Sequence, residues 1–272
     1  MEPLRMSFLA QFQPLMISIV GVYLLLCVLM FVFQDSLIFF PTPVSPNLDD
    51  WYTQHEVEYT HGSIKLQGWF IDRGVSETRP LIVYFGGNAE DISGTMNDFR
   101  IRTDLSLLFV PYRGYGKNSG KPSQKTMQED ALVILDQVVQ KTVMNSQQII
   151  VVGRSLGSGL ATYVASKRLL KGVVLITPFD SLTNVAQSHY PFLPVSLILK
   201  HPFDSASLAK DINTPMLMLI ADNDMIIANN HSNQLLEKWA GKHTRIVIAN
   251  ADHNDISNNE IYWEAIKRFI TF

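Results

Sequence analysis

The chain has 272 residues, and its 22 Lys and Arg against 25 Asp and Glu leave a formal net charge of −3. The basic residues are scattered rather than clustered, which excludes the electrostatic footprint of a nucleic-acid binder. A single cysteine, Cys27, lies in an apolar run, so neither an internal disulfide nor a thiolate metal cluster can be built. The length suits one α/β domain of about 200 to 250 residues with an extra segment.

Residues 14–33 read PLMISIVGVYLLLCVLMFVF, 20 residues without a charge. As a helix rising ~1.5 Å per residue, the run matches the ~30 Å hydrocarbon core of a bilayer. No small-x-small cleavage site follows, and only Ser18 and Tyr23 offer a polar stripe. The run therefore predicts an uncleaved transmembrane anchor at residues 14–34 behind a short tail at 1–13, rather than a signal peptide or a helix buried in the domain. Arg5 precedes the span and the first lysine after it is Lys65, so the positive-inside rule puts the N-terminus in the cytoplasm and the domain outside. Residues 35–50 contain FFPTPVSPNLDD, whose three prolines suit an extended linker.

Residues 51–272 read as one domain. HEVEYT (55–60) and SIKLQGWFI (63–71) alternate apolar and polar around His61 and Gly62, which predicts a hairpin. Six short apolar runs follow at 80–85, 105–110, 148–153, 173–177, 215–221 and 244–248, in the manner of buried parallel strands. Thr126 with Glu129, and Ser257 with Glu260, form capping-box patterns ahead of amphipathic helices. Strand and helix alternate, which predicts an α/β fold with a mostly parallel sheet of about eight strands and helices on both faces. Its active site belongs at the carboxyl ends of the strands.

At one such end, IIVVGRSLGSGLATYVASKRLL sets Gly153, Ser155 and Gly157 as G-x-S-x-G between a strand and a helix. A tight turn there presents Ser155 at the strand tip, and glycines on either side admit neighbouring backbone without a clashing Cβ. The other reading is an ordinary helix N-cap serine. A serine hydroxyl needs a base, and His253, in NADHNDI after the last predicted strand, has the right address among seven histidines. The third member must be a carboxylate, and LMLIADNDMII offers both Asp222 and Asp224. Either choice gives the chain order Ser, Asp, His. Oxyanion stabilisation is expected from the N–H of Leu156 and from the loop YFGGNAED, where Asn88 is assigned the second N–H and Gly87 is the alternative.

Together these residues resemble the α/β-hydrolase superfamily, and within it the membrane-anchored branch that includes protein depalmitoylases and hydrolases of the bacterial cell envelope. The resemblance extends over the anchor with QDSLIFFP, GGNAED, PYRGYGKNSGKPS, GRSLGSG, PFDSLTNVAQSHYPFLP, ADNDMII and DHND. It implies Asp224 as the acid, two residues before the pair Ile226 and Ile227, and a place in the bacterial inner membrane with the domain extracytoplasmic. Two positions depart from the branch: Gly86 stands where relatives carry histidine, and Pro111 where they carry aspartate. Arg113, in the second of these loops, is read as a structural ion pair ahead of a substrate-carboxylate ligand.

The segment PFDSLTNVAQSHYPFLPVSLILKHPFDSASLAKDIN (178–213) is an insertion rich in aromatic and aliphatic residues, suited to a lid, to an acyl-binding wall or to simple packing on the sheet. Anchor and insertion together favour acyl esters or thioesters, lipid-like in character, cleaved through an acyl-enzyme. No metal or organic cofactor is expected, since H-E-x-x-H, a P-loop and a Cys/His cluster are all missing. A peptidase using the same triad, and a non-catalytic membrane-bound scaffold, are the competing readings.

Overall fold

The computed structural model of the chain describes residues 2–45, 50–142 and 144–271, with side chains from residue 12 onward. Residues 46–49 of the expected linker, and the Arg5 side chain on which the expected orientation rests, lie outside the described residues.

Helix α1 (Glu2–Ile38) exceeds the expected anchor at both ends and carries Pro14 within it. Residues Phe12–Ile38 form a helix long and apolar enough to cross a membrane, with a mean hydropathy of 2.9 in the most apolar stretch. The helix continues four residues into the expected linker because the polar groups there find partners. The Gln34 amide bonds the Ile198 carbonyl at 2.9 Å and the Lys200 N–H at 2.6 Å, and Asp35 meets His201 at 2.9 Å.

A short helix, α2 (Asp50–Gln54), leads into the hairpin β1 (Glu56–His61) and β2 (Ile64–Ile71), whose turn is Gly62 and Ser63, one residue later than expected. The chain then runs β3 (Leu81–Phe85), α3 (Ile92–Arg102), β4 (Ser106–Phe109), α4 (Gln124–Thr142), β5 (Ile149–Arg154), α5 (Leu156–Lys167) and β6 (Gly172–Ile176). The insertion supplies α6 (Leu182–His189), α7 (Val195–Ile198) and α8 (Ser205–Ala209), before β7 (Met216–Ala221), α9 (Asn229–Lys238), β8 (His243–Ile248) and α10 (Glu260–Ile270). Two expected caps sit elsewhere. Helix α4 starts three residues early because Ser123 exchanges hydrogen bonds with Thr126. Helix α10 is capped by Asn259 in place of Ser257, the Asn259 side chain accepting the Ile261 N–H at 2.9 Å.

The sheet is eight-stranded in the order β1-β2-β4-β3-β5-β6-β7-β8, antiparallel at the β1–β2 and β2–β4 pairs and parallel elsewhere. Strand residues alternate between two cores. Ile149, Val151, Met216, Met218 and Ile220 pack with Leu135 and Leu160 from α4 and α5, while Ile150, Val152, Leu217, Leu219 and Ala221 pack with Phe99, Trp263 and Ile266 from α3 and α10. Both faces of the central strands are therefore covered, which is why they read as unbroken apolar runs. All the parallel strands end on the same edge, and the loops there carry the candidate site.

Candidate active site

Strand β5 ends at Arg154 and α5 begins at Leu156, leaving Ser155 alone at the turn with φ 50° and ψ −117°. A non-glycine residue at positive φ costs about 1 to 3 kcal/mol and persists only where its surroundings hold it. Here the Ser155 N–H donates to the Ile176 carbonyl at 2.9 Å. A Cβ on Gly153 would lie 2.3 Å from the Gly157 oxygen, and one on Gly157 would lie 2.0 Å from the Phe85 oxygen. Both positions require glycine because backbone already occupies the space a side chain would take.

His253 lies in a turn that Asp252 and Asp255 close reciprocally, with the Asp252 N–H on Asp255 at 2.7 Å and the Asp255 N–H on Asp252 at 3.0 Å. Its Nε2 is 2.9 Å from Ser155 Oγ and its Nδ1 is 2.7 Å from Asp224 Oδ2. A carboxylate only accepts, so Nδ1 carries the proton and a neutral ring turns its Nε2 lone pair toward the hydroxyl. The other Asp224 oxygen accepts the N–H groups of Ile226 at 2.9 Å and Ile227 at 2.7 Å. Asp222 is exposed and does not reach the histidine; its N–H bonds the Ile248 carbonyl in continuation of the sheet.

The glycine loop after β3 separates its amides. Gly87 N–H donates to Glu90 Oε2 at 2.5 Å, whereas the N–H groups of Asn88 and Leu156 have no acceptor among the described residues. The Asn88 side chain is fixed from three directions: its Nδ2 donates to the Ile38 carbonyl at 2.6 Å, and its Oδ1 accepts the Phe40 N–H at 2.9 Å and the Tyr115 hydroxyl at 2.8 Å. Burial pushes the Tyr115 phenol up to about 12, so this donor stays protonated at ordinary pH. The end of α1 thus meets the loop through a single amide.

Glu90 and Arg154 are site residues that the sequence reading did not single out. Glu90 accepts from Tyr84 at 2.8 Å and Thr95 at 2.5 Å and pairs with Arg154 at 3.1 Å, while Arg154 also donates to the His253 carbonyl at 3.1 Å. Burial lowers the Arg154 pKa, but the neighbouring Glu90 carboxylate outweighs it and the net shift is upward. The pair joins the glycine loop to the histidine loop. Its only signal in the sequence is a charge of each sign inside GGNAED and GRSLGSG. Gly86, the first departure from the resembled branch, has no room for a histidine: a Cβ would lie 2.4 Å from Ile92. Arg113 is bound by Asp130 at 2.6 and 3.0 Å and serves as a structural ion pair.

Comparison with known proteins gives the family. The chain is 25% identical over 286 residues to the alpha/beta hydrolase domain-containing protein WAV2 of Arabidopsis thaliana, covering 93% of this chain and 91% of that protein. It is 29% identical over 218 residues to the uncharacterized membrane protein YNL320W of Saccharomyces cerevisiae, covering 78% and 77%. The fold is that of the Pyrococcus furiosus esterase Pf2001, with a TM-score of 0.68 at 18% identity over 85% of this chain and 97% of the esterase. The profile of the Dienelactone hydrolase family matches residues 115–258, more than half of the chain and a span that includes Ser155, Asp224 and His253. The chain therefore has a hydrolase fold and belongs to the dienelactone hydrolase family of the α/β-hydrolase superfamily.

Proposed function

We propose that the chain is a membrane-anchored serine hydrolase that cleaves carboxylic esters or thioesters through an acyl-enzyme intermediate. The observation that carries this reading is the continuous relay from Ser155 through His253 to Asp224, at 2.9 and 2.7 Å, beside two backbone N–H groups without acceptors among the described residues.

His253 Nε2 takes the hydroxyl proton as Ser155 Oγ bonds to the acyl carbon, and Asp224 stabilises the imidazolium that forms. The carbonyl oxygen becomes an oxyanion, for which the N–H groups of Asn88 and Leu156 are the donors; each such donor is worth about 3 kcal/mol of barrier. Gly87 is the weaker choice because its N–H already serves Glu90. The proton then passes from His253 to the leaving alcohol or thiol, and water, deprotonated by the same ring, releases the acid and restores Ser155. Helix α1 provides the anchor, and its apolar length supports that part of the reading.

The test is labelling of the detergent-solubilised full chain with a fluorophosphonate, which reacts only with an activated serine. Wild type should label, Ser155→Ala and His253→Ala should not, and Asp224→Ala should lose more labelling than Asp222→Ala. An unlabelled wild type, or labelling that survives Ser155→Ala, would overturn the assignment.

A further inference from the structure

Helix α1 is packed against the insertion along three turns, and the contact has a depth order. At the lower end, Asp35 meets His201 and Gln34 bonds both Ile198 and Lys200. Lys200 Nζ lies 4.3 Å over the Phe31 ring. Further along, Cys27 packs with Leu193 and Val195, and the Tyr23 hydroxyl donates to the Phe192 carbonyl at 2.8 Å. Tyr23 stands eleven residues before Gln34 in the sequence. At ~1.5 Å per residue that is about 16 Å of helix, roughly half the ~30 Å hydrocarbon thickness.

The segment beside this part of α1, YPFLPVSLIL at 190–199, carries no charge and is bounded by His189 and Lys200. It turns apolar side chains outward: Leu197 is 83% exposed and Phe192 62%. Many of its backbone groups are hydrogen-bonded within the protein. Leu193 N–H bonds Tyr190, Val195 bonds Leu193, Leu197 bonds Pro194 and Leu199 bonds Val195; the carbonyls of Phe192 and Ile198 are taken by Tyr23 and Gln34. Pro191 and Pro194 have no N–H to satisfy. Non-helical backbone enters lipid only when its polar groups are met in this way.

We propose that residues 190–199 form a wedge that enters the same bilayer leaflet as the C-terminal half of α1, with lipid acyl chains as its occupant. The wedge continues to the candidate site: His189 Nε2 lies 2.9 Å from the Ile226 carbonyl, and Met225 and Ile226, both exposed, directly follow Asp224. An acyl chain in the leaflet then reaches the site sideways, without crossing water. This rests on the reading of α1 as a membrane span.

The test uses the full chain with Cys27→Ala, reconstituted in phosphatidylcholine vesicles and carrying one environment-sensitive fluorophore on Leu197→Cys, Val22→Cys or Leu169→Cys. Retained fluorophosphonate labelling of each protein reports that it is folded. Leu169 is exposed at the opposite, amino-terminal edge of the strands and serves as the aqueous reference. The wedge predicts that spin-labelled acyl chains quench the probes at positions 22 and 197, and that aqueous iodide quenches only the probe at 169. Acyl-chain quenching at 22 with iodide quenching at 197 would overturn the wedge and leave the anchor intact. A probe at 197 shielded from both quenchers would mean that protein covers the segment, again overturning it. Iodide quenching at 22 would remove the anchor reading and the wedge together.

Discussion

The molecule contains two Ser-His-Asp relays of nearly the same dimensions. In one, Ser155, His253 and Asp224 are linked at 2.9 and 2.7 Å; in the other, Ser188, His231 and Asp180 are linked at 3.0 and 2.9 Å. The distances do not separate them, but the backbone does. Ser155 stands at positive φ at the mouth of α5, with the Leu156 N–H open behind it. Ser188 lies within α6, where its single hydroxyl proton is contested by the Asn184 carbonyl at 2.9 Å. Helical amides near Ser188 are committed to the helix, so no pair of donors is aimed at a developing oxyanion. The second relay fastens α6 and the loop before it to α9, through Ser188 and the buried His231–Asp180 pair, whereas the first is the one on which the proposed function rests.

The largest effect expected from this contrast is at the serines. Ser155→Ala should lower kcat on an acyl p-nitrophenyl ester by roughly four to six orders of magnitude, and Ser188→Ala should leave it within the same order. Residual fluorophosphonate labelling at Ser188 in the Ser155→Ala protein would break the comparison. At the carboxylates the consequences should differ in kind. Asp224→Asn should cost about 10⁴-fold in kcat with an unchanged melting temperature, as expected when a triad loses the acid that sets the tautomer. Asp180→Ala should cost about 1 to 3 kcal/mol of stability, because it leaves the buried His231 Nδ1 without its partner, and should be read as a lower Tm with activity retained in the folded fraction.

Asn88→Ala sharpens the contrast further by leaving the relay intact and loosening the loop that α1 and Tyr115 hold. A fall in kcat of about tenfold to a hundredfold, with little change in KM, is the expected outcome in steady-state kinetics. The smallest effect belongs to Asp222→Asn, an exposed change that should leave stability within about 0.5 kcal/mol and turnover near wild type. A loss at Asp222 equal to that at Asp224 would undo the choice between them.

The fold class was legible because its signals are local. Continuous apolar runs mark strands buried on both faces, and alternation with amphipathic segments marks the crossovers. The glycines around Ser155 and the address of His253 past β8 are local too, as is the charge-free length of α1. The helix caps were less legible, since Ser123 and Asn259 compete with equally plausible neighbours within three residues.

Sequence alone therefore determined the α/β class, the turn that carries Ser155, and an apolar helix at the N-terminus. Residue pattern left Asp222 and Asp224 both open, the family resemblance implied Asp224, and Asp224 is the one that meets His253. Only the tertiary structure decided that Glu90 takes the Gly87 N–H, that Asn88 is held by the end of α1, and that α1 lies on residues 190–199. These choices are made by hydrogen bonds and contacts between positions up to 169 residues apart. No residue pattern within a single element encodes which distant partner will satisfy a buried polar group, and packing settles it by leaving none of the alternatives within reach.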